Sequence, residues 1–215
     1  MSPIGITLSS SNEILVTDSQ LGRIVRLDLA GKPIGSIGED VLLRPTGIGI
    51  DDDTGNIYVS DTGAHNIKVF DLAGKLIDTI GTHGDELGQF NGPTYLCLAN
   101  GNLYVSDTLN ARVQILTKEG DPISIIGTRG LFVGNFTRPK GITKDSEGNI
   151  YVVESYYDHM LIFNAAGEYL LPIGGSGTGI GSFLLPAGIW SDKKDRIYMA
   201  DMLNGRIFIM QYLGE

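Results

Sequence analysis

The segment Ile57–Asp71, IYVSDTGAHNIKVFD, decides the fold, because four other stretches of the chain superimpose on it. They are ILVTDSQLGRIVRLD from Ile14, LYVSDTLNARVQILT from Leu103, IYVVESYYDHMLIFN from Ile150 and IYMADMLNGRIFIMQ from Ile197. Their acidic residues, Asp18, Asp61, Asp107, Glu154 and Asp201, stand 43, 46, 47 and 47 residues apart. A period in the forties marks a repeat architecture in which each unit is one supersecondary module.

The module reads as four strands. An inner strand follows a proline (RPTGIGI, RPKGITK), a turn such as DDDTGN or DSEGN reverses it, and the alternating strand IYVSD comes next. A short loop leads to IKVFD or VQILT, and a Gly-bearing turn (DLAGK, TKEGD, NAAGE) then leads to a fourth strand ending in Ile-Gly. Four antiparallel strands per period make a propeller blade, and helical spacing of apolar residues is sustained nowhere. The joining loops repeat as well. GQFNGP, GNFTRP and GSFLLP set Phe90, Phe136 and Phe183 three residues before Pro93, Pro139 and Pro186, with Leu42 before Pro45 in a shorter first loop. Their recurrence predicts an apolar plug between neighbouring blades.

The combination of P-x-G-I, Y-V-x-D, x-N-x-R-[IV] and Gly-Lys turns resembles the NHL-repeat family of β-propellers, from Pro3 to about Tyr212. That resemblance implies blades around a central axis, most often six, with ligand or partner surfaces on one face. In this chain Pro3, Pro45, Pro93, Pro139 and Pro186 open five repeats, and the last runs out at QYLGE where an outer strand is due. The expected fold is therefore all-β, a single propeller domain over 1–215 with four-stranded antiparallel blades. It is either a truncated six-bladed ring or an opened five-bladed one, with exposed strand edges that invite self-association.

Composition narrows the function classes. Thirty glycines and eight prolines accompany 42% hydrophobic residues, which excludes a disordered chain. A net charge of −9 disfavours nucleic acid and anionic membrane surfaces, and fits cations or basic partners better. One cysteine, Cys97, rules out an intrachain disulfide. No apolar run is long enough for membrane insertion, and MSPIGI is not a signal peptide. The compartment stays unassigned, since an exported protein whose leader is absent fits equally.

Residues that recur in every repeat read as scaffold. Asp18 and Arg23, Asp107 and Arg112, and Asp201 and Arg206 share a five-residue spacing that predicts a cross-strand acid–base pair. The fourth repeat changes this pair to Glu154 and His159, a pH-sensitive version, and adds Tyr156, Tyr157 and Asp158 between them. The same face is expected to carry His65, His83, Asp85, Glu86 and Arg129. Near the axis, Tyr95 stands where other repeats have Gly5, Gly47, Gly141 and Gly188, and with Trp190 it either packs or fills space open to a ligand. The candidate binding face is Glu154, Tyr156, Tyr157, Asp158, His159, His65 and His83, with Tyr95 added from the axis. Plain loop variation is the alternative.

Signs of catalysis are weak. No serine, histidine and aspartate arrangement can be assigned, no two histidines have local metal-site spacing, and Asp51–Asp53 lacks the ligand pattern of a calcium loop. IGGSGTGIGSF is an interblade loop rather than a nucleotide loop. In the amidating-lyase relatives that the resemblance brings in, the zinc histidine follows the inner-strand proline. Ile4, Thr46, Thr94, Lys140 and Ala187 occupy those places here. No cofactor is predicted, with calcium or zinc in the channel or a loop as the alternative. The expected function is a non-enzymatic scaffold for a protein or small-molecule ligand; the alternative is a metal-dependent hydrolase, lactonase or lyase with its site in the central channel.

Overall fold

The structure, a computed structural model, describes residues 1–213 and is almost wholly β. Blade 1 comprises β1 (Pro3–Leu8), β2 (Ile14–Asp18), β3 (Arg23–Leu27) and β4 (Pro33–Ile37). Blade 2 comprises β5 (Pro45–Ile50), β6 (Ile57–Asp61), β7 (Asn66–Phe70) and β8 (Leu76–Ile80). A two-stranded parallel ribbon, β9 (Thr82–His83) with β10 (Gln89–Phe90), leads to the next blade. Blade 3 holds β11 (Pro93–Ala99), β12 (Asn102–Asp107), β13 (Arg112–Thr117) and β14 (Pro122–Ile126). Blade 4 holds β15 (Pro139–Lys144), β16 (Ile150–Glu154), β17 (His159–Phe163) and β18 (Tyr169–Gly174). The fifth sheet is three-stranded: β19 (Pro186–Ser191), β20 (Arg196–Asp201) and β21 (Arg206–Gln211).

Every blade is an antiparallel sheet with its strands in sequence order, and one register recurs. The repeat acid faces the blade's opening proline on one side and the first residue of the third strand on the other, as in Pro93↔Asp107↔Arg112. A register shift follows the proline in all five inner strands. There the backbone meets the next inner strand so closely that a Cβ on Gly47 would lie 2.7 Å from the Thr94 carbonyl oxygen and the Tyr95 Cα. Only glycine tolerates that approach.

Hydrophobic burial lies between blades rather than within them. Phe90 sits fully buried among Tyr58, Ile67, Ile80, Leu103 and Val105, which come from blades 2 and 3. Phe136 and Phe183 do the same between blades 3 and 4 and between blades 4 and 5, and Leu42 between blades 1 and 2. The plugs predicted from the joining loops are present at all four junctions. Hydroxyls on or just after the second strands add polar cross-links: Thr17 in β2 donates to the Thr46 carbonyl at 2.5 Å, and Thr62, following β6, to that of Pro93 at 2.5 Å.

Consecutive inner strands pack side by side from β1 to β19, and among the described residues the arc is open between its first and last blades. Ile207 is 60% exposed, whereas its counterparts Ile24, Ile67, Val113 and Met160 are fully buried against a following blade. Ile6 is 70% exposed, whereas Ile48, Leu96 and Ile142 at the same place are buried against a preceding one. The free surfaces are thus apolar sheet faces as well as the strand edges expected from the sequence. Cys97 lies half-buried against the core between blades 3 and 4, and burial pushes its thiol up to about 11. No helix among the described residues is long and apolar enough to cross a membrane.

Candidate functional site

The loops after each second strand and the loops between blades meet on one face. Asn110 and Arg112 of blade 3 reach the 84–89 segment, and Asn204 and Arg206 of blade 5 reach 177–182. This face carries a series of exposed apolar tips, including Leu43, Leu109, Leu131, Phe132, Ile180 and Leu203. Turns on the opposite face are built mainly from polar residues and glycine, and among the described residues the large apolar side chains they expose are Leu29 and Leu72, with Leu213 beyond β21 at the same end. One face is therefore apolar at its tips and the other polar.

Beneath the tips, each repeat acid is buried and anchors the chain segment entering its own blade. Asp61 accepts the amides of Leu43 and Arg44 at 2.9 and 2.8 Å, Asp107 accepts that of Asn91 at 2.7 Å, and Asp201 accepts that of Leu184 at 2.8 Å. The predicted acid–arginine pairs are present at 2.8 Å for Asp107–Arg112 and Asp201–Arg206, and at 3.8 Å for Asp18–Arg23. Burial pushes the Asp201 carboxyl up, but the Leu184 amide, Asn204 and Arg206 outweigh it and hold the group below the usual carboxylate range.

Blade 4 departs from this pattern. Glu154 faces His159 in register, yet its carboxylate is taken by the amides of Thr137, Arg138 and Tyr156. No hydrogen bond or ion pair joins it to His159 among the described residues, so the expected pH-sensitive staple is not formed. The longer glutamate reaches the entering segment by itself and leaves the histidine free of it.

Where the arginine would lie, a pocket of about 190 Å³ opens, lined by Leu131–Asn135, Glu154, Tyr157, His159 and Leu161. Phe132 stands at its mouth, 82% exposed. Tyr156 and Tyr157 pack edge to face at 4.9 Å beside it, a geometry suited to rigid aromatic contact surfaces. Sequence reading had placed Glu154, Tyr157 and His159 together and missed Leu131, Phe132 and Val133. Their signal was an apolar trio at loop positions that read Asp85-Glu86-Leu87 and Thr178-Gly179-Ile180 in the neighbouring repeats.

The remaining candidates fall elsewhere. Asp158 has a left-handed backbone (φ 58°) and uses its carboxylate on the Leu185 amide and the Ser176 hydroxyl, so it braces the next loop. His65 and His83 pack with ring centroids 4.2 Å apart at the blade 2–3 junction, where His65 Nδ1 accepts the Gly92 amide at 3.0 Å. That bond occupies one ring nitrogen, and no group of three or more His, Cys, Asp or Glu suited to a metal ion occurs among the described residues. Tyr95 lies on the axis, its ring 3.8 Å from where a Cβ on Gly188 would stand, two blades away. Its hydroxyl is pushed above the usual range by burial. Beside it, Thr46 donates to the Thr94 carbonyl at 2.7 Å, so these axial hydroxyls serve inter-strand bonding.

Family models match two parts of the chain: one described as NHL repeat over residues 42–70, and one described as 6-bladed beta-propeller over residues 141–212. No curated protein matches. Among solved structures, the chain is similar to a streptogramin B lyase (15% identity, 99% of this chain and 70% of that one, TM-score 0.69). It is similar to virginiamycin B lyase from Staphylococcus aureus (15% identity, 99% and 71%, TM-score 0.67). It is also similar to a chain of a nidogen/laminin complex (20% identity, 97% and 75%, TM-score 0.74). At these identities the likeness is one of fold.

Proposed function

We propose that this chain, an NHL-repeat β-propeller, is a binding scaffold that takes a protein or peptide partner on its apolar-tipped face, centred on Leu131–Val133 and Tyr156–His159. One observation carries the reading: exposed aromatic and aliphatic side chains surround a pocket on one face of a body whose opposite face is polar. Large exposed apolar patches of this kind mark interaction surfaces. One structural neighbour is a chain of a nidogen/laminin complex, a use of this fold in line with partner binding. A hydrolase, lactonase or lyase in the central channel is the rival reading, and Tyr95 crossing towards Gly188 occupies space its substrate would need.

Selection of displayed random peptides on the immobilised chain tests the proposal. Peptides should enrich, and Phe132→Ser with Tyr156→Ser should weaken the selected peptides by roughly tenfold or more, the effect of losing two interface anchors. Enrichment that both substitutions leave unchanged would place binding elsewhere.

The open ends of the arc give the scaffold a second contact. The face of blade 5 bearing Ile207 and Ile209 is shaped to receive a preceding-type face such as that of β1, so two copies can join head to tail. Sedimentation of the chain should show association that grows with concentration and is reduced by Ile207→Glu with Ile209→Glu. A monomer at every concentration would contradict it.

A further inference from the structure

Three interblade loops share one backbone, and two of them are filled by an arginine. In blade 3, Arg112 keeps Nε on Asp107 at 2.8 Å and donates to the carbonyls of Asp85, Glu86 and Gln89 at 2.6, 2.8 and 2.9 Å. In blade 5, Arg206 keeps Nε on Asp201 at 2.8 Å and donates to Thr178, Gly179 and Ser182 at 3.2, 2.9 and 2.7 Å.

The loop entering blade 4 has the same skeleton. Its Gly130 amide donates to the Phe136 carbonyl, as Gly84 does to Phe90 and Gly177 to Phe183. Its Asn135 amide donates to Phe132, as Gln89 does to Glu86 and Ser182 to Gly179. Gly134 is left-handed, as are Gly88 and Gly181. The carbonyls that would receive a guanidinium are therefore those of Leu131, Phe132 and Asn135. The residue that should send it is His159, whose ring is too short.

Among the described residues no donor reaches the Leu131 or Asn135 carbonyl, and Phe132 keeps only its turn bond. The pocket occupies the place of the missing side chain, with the buried Glu154 carboxylate at its wall, bonded to backbone amides and paired with no cation among the described residues.

We infer that this pocket is a guanidinium site, filled by an arginine side chain that a partner peptide inserts from outside. The inference rests on the binding face proposed above and names the chemistry of its central contact. A guanidinium is planar, always charged and carries five donors in a fixed fork, which suits three carbonyls fixed around it; an ammonium is a point charge that cannot span them. Leu131, Tyr157 and Leu161 line the pocket, so apolar and aromatic surface is at hand there for an arginine's methylene stem and guanidinium. The net charge of −9 draws a basic partner to the surface.

Nuclear magnetic resonance titration of the whole chain with Nα-acetyl-arginine amide, and with the lysine counterpart, reads the site directly. Saturable shifts confined to residues 131–135 and 157–159 are expected, with lysine at least about tenfold weaker. His159→Arg supplies the guanidinium from the chain itself and should abolish the titration while raising the thermal midpoint. Equal response to both probes, or undiminished arginine binding in His159→Arg, overturns the inference. Arg206→Ala gives an independent check: emptying the blade 5 site should create a new arginine response over residues 177–182, and its absence counts against the inference. Selected peptides that bind the face without needing an arginine would leave the scaffold reading standing and remove the guanidinium site. A specific arginine titration with no peptide enriched would do the reverse.

Discussion

Asp107→Ala is expected to lower the unfolding free energy by about 3–5 kcal/mol, read as a fall in denaturation midpoint at unchanged slope. The carboxylate is fully buried and receives the Asn91 amide together with Asn110, Arg112 and Gln114. Its removal leaves the Arg112 guanidinium largely enclosed with its anion gone, because only three carbonyls remain around it. It also orphans an amide in the segment that enters blade 3. Asp107→Asn keeps the shape but turns a donor towards donors, so it should fall between wild type and alanine. A loss below about 1 kcal/mol, the range of exposed pairs, would mean that the acid is a surface staple and not an anchor.

The second large effect is Phe136→Ala, expected at about 3–5 kcal/mol. The ring is fully buried, lies 5.6 Å from Phe163 and covers Gly127, where any Cβ would collide with it. Residues from blades 3 and 4 enclose it, so the void left by alanine cannot be closed by movement of one sheet alone. Phe136→Leu keeps most of the volume and should cost markedly less. Because Phe136 also closes the loop that carries Leu131–Asn135, the alanine variant should loosen the pocket and weaken selected peptides. Unaltered stability in Phe136→Ala would show that the junction tolerates the void and that the plug is dispensable.

The fold was legible because its information is local and repeated. Alternation, Gly-bearing turns and a fixed spacing of acids place the strands, and Leu42, Phe90, Phe136 and Phe183, each three residues before a blade-opening proline, mark the junctions. The candidate site was legible only in part. Tyr157 and His159 stood out as departures from the repeat, but the pocket between them and Leu131–Asn135 depends on two loops meeting. A difference of side-chain length at one position, histidine for arginine, opens it. Sequence spacing also suggested that Glu154 pairs with His159, because the acid's real partners are backbone amides and amides leave no mark in a sequence. Tyr95 was legible as an axial residue because it replaces the glycine of the other repeats, and in the structure its ring reaches towards Gly188 of the fifth blade.

The common backbone of the three loops at 82–90, 129–136 and 176–183 separates support from content. The glycines, the phenylalanine and the buried acid hold each loop in the same shape, while DEL, LFV and TGI ride on it at the three intervening positions. Each triplet is therefore an interchangeable cassette. Moving LFV from the blade 4 loop to another would relocate the sticky spot around the face without touching a sheet. On the binding reading proposed above, such a chain would change what it binds one junction at a time and keep its fold.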